Sequence, residues 1–200
     1  MDILLISTSF ILSFFIIIIS QKHFLNNNYI DKINTRSSHS SLATRTGGLS
    51  LFSTLFLISV YFYITGYDIY EFSLLIPISI LAAVGLYDDI NGVDFKLKFI
   101  FQIIAAKIII DNGLIIDNLH GFGGVYEISR ITAQLLTVLV IVAIINSINF
   151  IDGVDGLAIT TVVLFICGFE FFALEQTSYS NLSIILIASI MPLYYFNFRK

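Results

Sequence analysis

The sequence predicts an all-α integral membrane protein, a polytopic helical bundle of about seven transmembrane helices that forms one domain over residues 1–200. The first observation is composition: hydrophobic residues make up 57% of the chain and charged residues 12%, and the mean hydropathy is +0.92. The second is a series of seven long apolar segments, and the third is the confinement of most Lys and Arg residues to alternate loops. A soluble domain of this composition would expose most of its apolar surface, which excludes the soluble classes.

Each apolar segment approaches the length that a bilayer crossing requires, about 20 residues at a rise of about 1.5 Å through a hydrocarbon core of about 30 Å. The first segment lacks the basic leading region and the small-residue cleavage site of a secretory signal, so it is interpreted as a span. Pro77 and Pro192 lie inside spans, where prolines are tolerated. In order, the predicted spans are residues 3–20, 48–64, 72–87, 97–116, 131–150, 157–174 and 182–198.

The basic residues orient the predicted bundle. If the spans alternate across the membrane, Arg130 lies on one side, Lys107 lies within a span, and the other Lys and Arg residues share the opposite side. The positive-inside rule makes that side cytoplasmic, with the N-terminus outside and the C-terminus inside. The net charge of -4 gives no indication of nucleic-acid binding, because these bases are already accounted for. The cytoplasmic bases are Lys22, Lys32, Arg36, Arg45, Lys96, Lys98, Arg199 and Lys200.

The loops predicted on the outer side contain few side chains that could catalyse a reaction or bind a substrate. Residues 118–127 alternate in polarity and contain glycines, a pattern that predicts a short hairpin on the outer surface. His120 within this stretch is interpreted as a solvated loop histidine. Cys167 is the single cysteine, so no disulfide forms within these residues, and packing in the core or against lipid is its predicted role.

The loop after the third span combines acidic and basic side chains. Asp88 and Asp89 are adjacent and repel each other unless a cation or a hydrogen-bond donor stabilises them, which favours Mg²⁺ binding or a catalytic base. Lys98 lies four residues before Gln102, so the two share a face of the fourth helix. The alternatives are a solvated helix end for the aspartates and an extension of Lys98 toward lipid headgroups.

Polar residues recur every three positions across the end of the fifth span, at Asn146, Asn149, Asp152 and Asp155. Oxygen ligands of this kind suit Mg²⁺, which takes few carboxylates together with water and substrate phosphates. So many polar groups at the end of a span are costly unless they are used or solvated. The pattern indicates a metal or substrate site, and a turn rich in Asp and Gly is the alternative.

The first cytoplasmic loop contains His39 and Arg45, followed by Gly47 and Gly48 at the start of the second span. An arginine and two glycines before a helix N-terminus are typical of an anion site, although an arginine that only orients the helix explains the pattern equally well. With this loop, carboxylates, amides and bases collect at one membrane face. That arrangement indicates an enzyme that works at the bilayer surface.

In order and spacing, the three loops resemble the polyprenyl-phosphate N-acetylhexosamine-1-phosphate transferases, the superfamily that includes phospho-N-acetylmuramoyl-pentapeptide transferase. The stretch from His39 to Arg45 is more similar to the bacterial GlcNAc-1-phosphate transferase branch. The matching residues are Asp31, Asn34, Arg36, Ser37, His39, Arg45, Gly47, Gly48, Gly85, Asp88, Asp89, Lys98, Gln102, Asn146, Asn149, Phe150, Asp152, Gly153, Asp155, Gly156 and Leu157.

The resemblance implies a reaction at the cytoplasmic face of the bacterial inner membrane. A sugar 1-phosphate passes from a UDP-N-acetylhexosamine to undecaprenyl phosphate and UMP is released, which starts synthesis of a cell wall or lipopolysaccharide polymer. The implied cofactor is Mg²⁺, or Mn²⁺ in its place, and a homodimer is compatible with the family. The implied roles are Asp88 or Asp89 as the base, Lys98 on the diphosphate, Asn149 and Asp152 on the metal, and His39, Arg45, Asn146 and Asp155 in substrate binding.

The chain departs from the family pattern in two places. Prolines that the family carries in the first loop are replaced by Ile33, Leu42 and Thr44. A Gly-Asp-x-Gly-Ser motif with a metal-binding aspartate is expected soon after Lys200, so the chain is interpreted as the N-terminal portion of a longer enzyme. The alternatives are a truncated, inactive copy, a membrane transporter, which Lys107 and Asp111 inside the fourth span would support, and a structural or scaffolding membrane protein. A scaffold would not need the polar residues at the ends of the third and fifth spans.

Overall fold

Seven α-helices follow one another in the computed structural model of the protein, which describes residues 2–27, 29, 46–67, 70–152, 156–172 and 179–198. Each helix overlaps one predicted span, and the order is the same. The predicted all-α bundle is therefore confirmed. The helices are α1 Asp2–Asn26, α2 Gly47–Thr65, α3 Leu75–Asn91, α4 Phe95–Asp111, α5 Arg130–Ile151, α6 Leu157–Phe172 and α7 Ser180–Phe198.

Among the described residues, five helical segments are long and apolar enough to cross a membrane, which makes the chain a multi-pass membrane protein. Helix α6 is apolar but has 16 residues, and α4 has 17 residues with charged side chains near both ends. The five segments are Asp2–Asn26, Gly47–Thr65, Phe72–Asn91, Arg130–Ile151 and Ser180–Asn197.

The bounds predicted for the fourth span were wrong. Residues 97–116 were expected to be one span, but the helix begins at Phe95 and ends at Asp111. Gly113 adopts a φ of 90°, which only glycine enters readily, and its N–H bonds to the carbonyl of Ile110. The left-handed glycine therefore ends α4 before the apolar residues that follow it can extend the helix.

One compact unit contains residues 1–72 and 149–200, and in it α1 packs against α7 and α2, while α7 also contacts α6. Small hydroxyl residues line the close contacts. Ser13 on α1 donates a hydrogen bond of 2.7 Å to the carbonyl of Ser189 on α7, and both residues are fully buried. Small residues let membrane helices approach closely, and interhelical hydrogen bonds then add to the packing.

The second compact unit is residues 73–148, in which α3 and α4 pack against each other. Thr137 on α5 ties the connection after α4 to the start of α5, because its Oγ1 accepts the N–H of Ile116 at 2.9 Å. In that connection, Asn118 and Glu127 pair as an isolated antiparallel bridge. The predicted hairpin is therefore confirmed as an antiparallel pairing.

Candidate functional site

Asp88, in the last turn of α3, holds the turn between α3 and α4 together. Its Oδ2 accepts a charged hydrogen bond from Lys98 Nζ at 2.5 Å, and its Oδ1 accepts the N–H of Val93 at 2.8 Å. The carbonyl of Asp88 accepts the N–H of Gly92 at 2.9 Å, where a φ of 73° ends α3. The chain then turns back so that α4 can begin at Phe95.

The Asp88–Lys98 pair is partly shielded from solvent, so its attraction is screened less than that of a fully exposed pair. An ammonium group carries three donors, and Asp88 uses one of them. The positive charge of Lys98 is thereby held in place at the end of the α3–α4 turn. A lysine fixed in this way can bind a phosphate as a point charge.

Asp89 is exposed and follows Asp88 directly on α3. Successive residues of an α-helix point about 100° apart, so the two carboxylates face in different directions. The repulsion predicted between them is reduced at Asp88 by Lys98, which lies ten residues further along the chain. Asp88 therefore stabilises the turn through its ion pair, and Asp89 is the more exposed of the two side chains.

Gln102 and Asn146 link α4 to α5. The side-chain nitrogen of Asn146 donates to Gln102 Oε1 at 2.9 Å and to the carbonyl of Val142 at 2.8 Å. Gln102 is buried and lies one helical turn from Lys98. Asn146 was predicted to bind substrate, and that role stays a prediction; in the structure its amide nitrogen joins α5 to α4.

Asn149 and Asp152 lie at the end of α5, and both are exposed. An amide oxygen and a carboxylate are hard ligands that fit Mg²⁺, which is often held by one or two carboxylates plus substrate phosphates and water. Among the described residues, no three His, Cys, Asp or Glu side chains form a cluster that could hold a metal alone. The donor chemistry fits a metal that arrives with a phosphate ligand.

An apolar groove of about 330 Å³ runs between α3 and α4. On α3 it is lined by Ile80, Ala83, Val84 and Tyr87, which recur at helical spacing. Tyr87 precedes Asp88, and Leu97 on the other wall precedes Lys98, so the groove ends beside the ion pair. Sequence reasoning missed this groove, although the apolar spacing on α3 and α4 was a signal for it.

Three predicted site residues, His39, Arg45 and Asp155, lie outside the described residues, and their roles stay predictions. The described candidates fall at two places, the α3–α4 turn and the end of α5. Lys107 and Asp111, which were weighed as evidence for a transporter, form an exposed ion pair one turn apart on α4. That pairing accounts for both charges without an ion path.

The model of a family described as glycosyl transferase family 4 matches residues 71–200. No curated protein matches the chain. The matched segment covers well over half of the chain and contains the α3–α4 turn, the groove and the end of α5. The segment before α2 that contains His39 and Arg45 lies outside it.

Proposed function

The chain belongs to glycosyl transferase family 4, and from that membership we propose that it transfers a sugar 1-phosphate from a UDP-N-acetylhexosamine to undecaprenyl phosphate. The family supports sugar-phosphate transfer to a polyprenyl phosphate in general. The N-acetylated sugar, the bacterial undecaprenyl carrier and the product, a precursor of a cell wall or lipopolysaccharide polymer, are the further parts of the proposal.

The position of Lys98 beside the apolar groove is the observation that carries this proposal. A polyprenyl phosphate has an isoprenoid chain joined to a dianionic headgroup, and it therefore needs an apolar surface next to a cation. The α3–α4 groove supplies the apolar surface, and the ammonium group held by Asp88 supplies the charge. Lys98 would attract the headgroup and offset the repulsion between the two phosphate-bearing substrates.

In the proposed reaction, a phosphate oxygen of the lipid attacks the β-phosphorus of the UDP-sugar. A new P–O bond joins the lipid phosphate to the sugar phosphate. The bond between the β-phosphorus and the bridging oxygen breaks, and UMP leaves with that oxygen. Asp89 is the proposed base, because its side chain is exposed in the last turn of α3, next in the chain to the Asp88–Lys98 pair.

Asn149 and Asp152 would hold Mg²⁺ or Mn²⁺, which when bound offsets the negative charge of the diphosphate. The chain's own contribution at this point is a pair of exposed oxygen donors at the end of a membrane-spanning helix. The site would face the cytoplasm, where nucleotide sugars are made, in the inner membrane of a bacterium. The positive-inside distribution of the bases supports that orientation.

The test uses membranes that contain the chain, with labelled UDP-N-acetylhexosamine, undecaprenyl phosphate and Mg²⁺, and measures labelled lipid and released UMP. Replacing Lys98→Ala should lower transfer by about 10²–10³-fold, since it removes a charged donor from the transition state. The matched control is Lys96→Ala, which removes the same charge two residues away. Equal activity of the Lys98→Ala variant, or no labelled lipid from the folded chain, would overturn the proposal.

A further inference from the structure

A hairpin joins α4 to α5 at the end of α4 opposite the Asp88–Lys98 pair. Hydrogen bonds within the hairpin pair its main chain. The N–H of Leu119 donates to the carbonyl of Tyr126 at 2.7 Å, and the N–H of Gly121 donates to the carbonyl of Val125 at 3.0 Å. A further bond of 3.0 Å from Ile128 to Asp117 closes its base. With these backbone groups satisfied, the tip can leave water at a lower cost.

The tip of this hairpin exposes aromatic rings. Phe122 is 82% exposed and Tyr126 67%, and Val125 beside them is also exposed. The Tyr126 ring lies over Gly121, where a Cβ atom would come within 3.3 Å of it. Residues 118–126 contain no Asp, Glu, Lys or Arg. Exposed apolar patches of this kind mark sites of interaction with protein or with a membrane.

The lipid-facing surface of α5 begins directly after the hairpin. Ile131, Leu135 and Leu139 are strongly exposed and recur every four residues, so they form one apolar stripe on a helix that can cross the membrane. Arg130, which precedes the stripe, marks the level of the headgroups, where long basic side chains reach water. The hairpin is therefore attached at the bilayer surface, and its exposed rings continue the apolar surface of α5 along the chain.

We propose that Phe122, Val125 and Tyr126 insert into the boundary between lipid headgroups and acyl chains, in the leaflet opposite the Asp88–Lys98 pair. Phenylalanine supplies an apolar ring, and tyrosine adds a hydroxyl that bonds to headgroups or water, which is why aromatic residues collect at this depth. The insertion anchors the α4–α5 connection to the membrane. It is independent of the proposed reaction, because it depends only on the hairpin and on α5.

The chain has no tryptophan, so Phe122→Trp creates a single fluorescent reporter at an exposed position where the larger ring disturbs no packing. The variant is reconstituted into vesicles whose lipids carry bromine either near the headgroup or near the chain end. The matched control is Leu139→Trp, on the exposed stripe of α5. Phe122→Trp should be quenched more by shallow bromine, and Leu139→Trp more by deep bromine.

Quenching by aqueous iodide distinguishes a tip that faces water from a tip that protein covers. Strong quenching of Phe122→Trp by iodide, with none by either brominated lipid, would show that the tip faces water and would overturn the proposal. Protection from both quenchers would show that protein covers the tip, as a second copy of the chain could, and would also overturn it. Tyr126→Trp repeats the measurement across the hairpin and should show the same preference for shallow bromine.

Discussion

The side-chain nitrogen of Asn146 on α5 lies 2.9 Å from Oε1 of Gln102 on α4, and this partly buried hydrogen bond joins the two helices. Lys98 is one turn from Gln102 on the same helix. Gln102 therefore joins the part of α4 that carries Lys98 to α5. Sequence reasoning had placed Gln102 on the face of Lys98 and had assigned Asn146 to the substrate.

Replacing either partner by leucine should destabilise the protein, because the hydrogen bond between α4 and α5 is lost. Gln102→Leu and Asn146→Leu should each raise the susceptibility to thermal unfolding in detergent. The double variant should lose less than the sum of the two, with a coupling of about 0.6 and at most about 1.7 kcal/mol, as for interhelical bonds in membranes.

The matched control for this cycle is Gln134→Leu, which removes a glutamine from α5 away from this bond. Paired with Gln102→Leu, it should give additive losses. Additive losses for Gln102→Leu and Asn146→Leu as well would mean that the hydrogen bond between α4 and α5 contributes nothing measurable to stability.

Asp88 should act on transfer only through Lys98. Asp88→Ala should lower activity by about a hundredfold, the cost of a catalytic group displaced by about 1 Å. The Asp88→Ala/Lys98→Ala double variant should then be no slower than Lys98→Ala alone, because the group that Asp88 positions is already absent. The measurement is labelled lipid formed by each of the three variants in membranes.

Asp94→Ala removes another carboxylate from the same turn and should leave transfer near the level of the unsubstituted chain. If the losses of Asp88→Ala and Lys98→Ala multiply instead, Asp88 contributes to the chemistry directly and the proposed division of roles between Asp88 and Asp89 is wrong.

Hydropathy predicted the helices because the membrane requires long apolar segments with internally bonded backbone. Contacts between helices cannot be predicted from the hydropathy pattern. Asp88 and Asp89 look like one acidic pair in the sequence, but the α3–α4 turn brings Lys98 to Asp88 alone. The Gln102–Asn146 bond joins residues 44 positions apart, and no local sequence pattern predicts which two amides will meet. The end of α4 was misplaced because the left-handed conformation of Gly113 outweighs the apolar residues after it.

Asn149 and Asp152 should control the metal requirement of the reaction. Asn149→Ala and Asp152→Ala should each raise the Mg²⁺ concentration for half-maximal transfer by at least about tenfold. Asp152→Cys substitutes a soft thiolate for a hard carboxylate, so it should favour Mn²⁺ over Mg²⁺ more than the unsubstituted chain does. Glu127→Gln, in the α4–α5 hairpin, is the control and should leave the Mg²⁺ titration unchanged. Unchanged titrations for the α5 variants would remove both residues from the metal site.

Tyr70, which follows α2, should make the stability of the protein depend on pH in the alkaline range. Its phenol is buried and hydrogen-bonded to the Ser59 hydroxyl, and burial raises the pKa of Tyr70 above 10.0 while the Ser59 bond lowers it by less. The folded state therefore favours the neutral phenol. This contribution is fully present below pH 10.0 and is lost as the pH rises toward the folded pKa, because the unfolded chain releases the proton first.

The slope of that loss is at most about 1.4 kcal/mol per pH unit for a single group. Thermal unfolding measured in detergent across pH 10.0 should show the decline in the unsubstituted chain, and Tyr70→Phe should reduce it because phenylalanine does not titrate. Tyr67→Phe, at an exposed tyrosine nearby, is the matched control and should retain the full decline. Coincident curves for Tyr70→Phe and the unsubstituted chain would mean that the phenol titrates alike in the folded and unfolded states. That result would contradict the pKa that burial raises in the folded state.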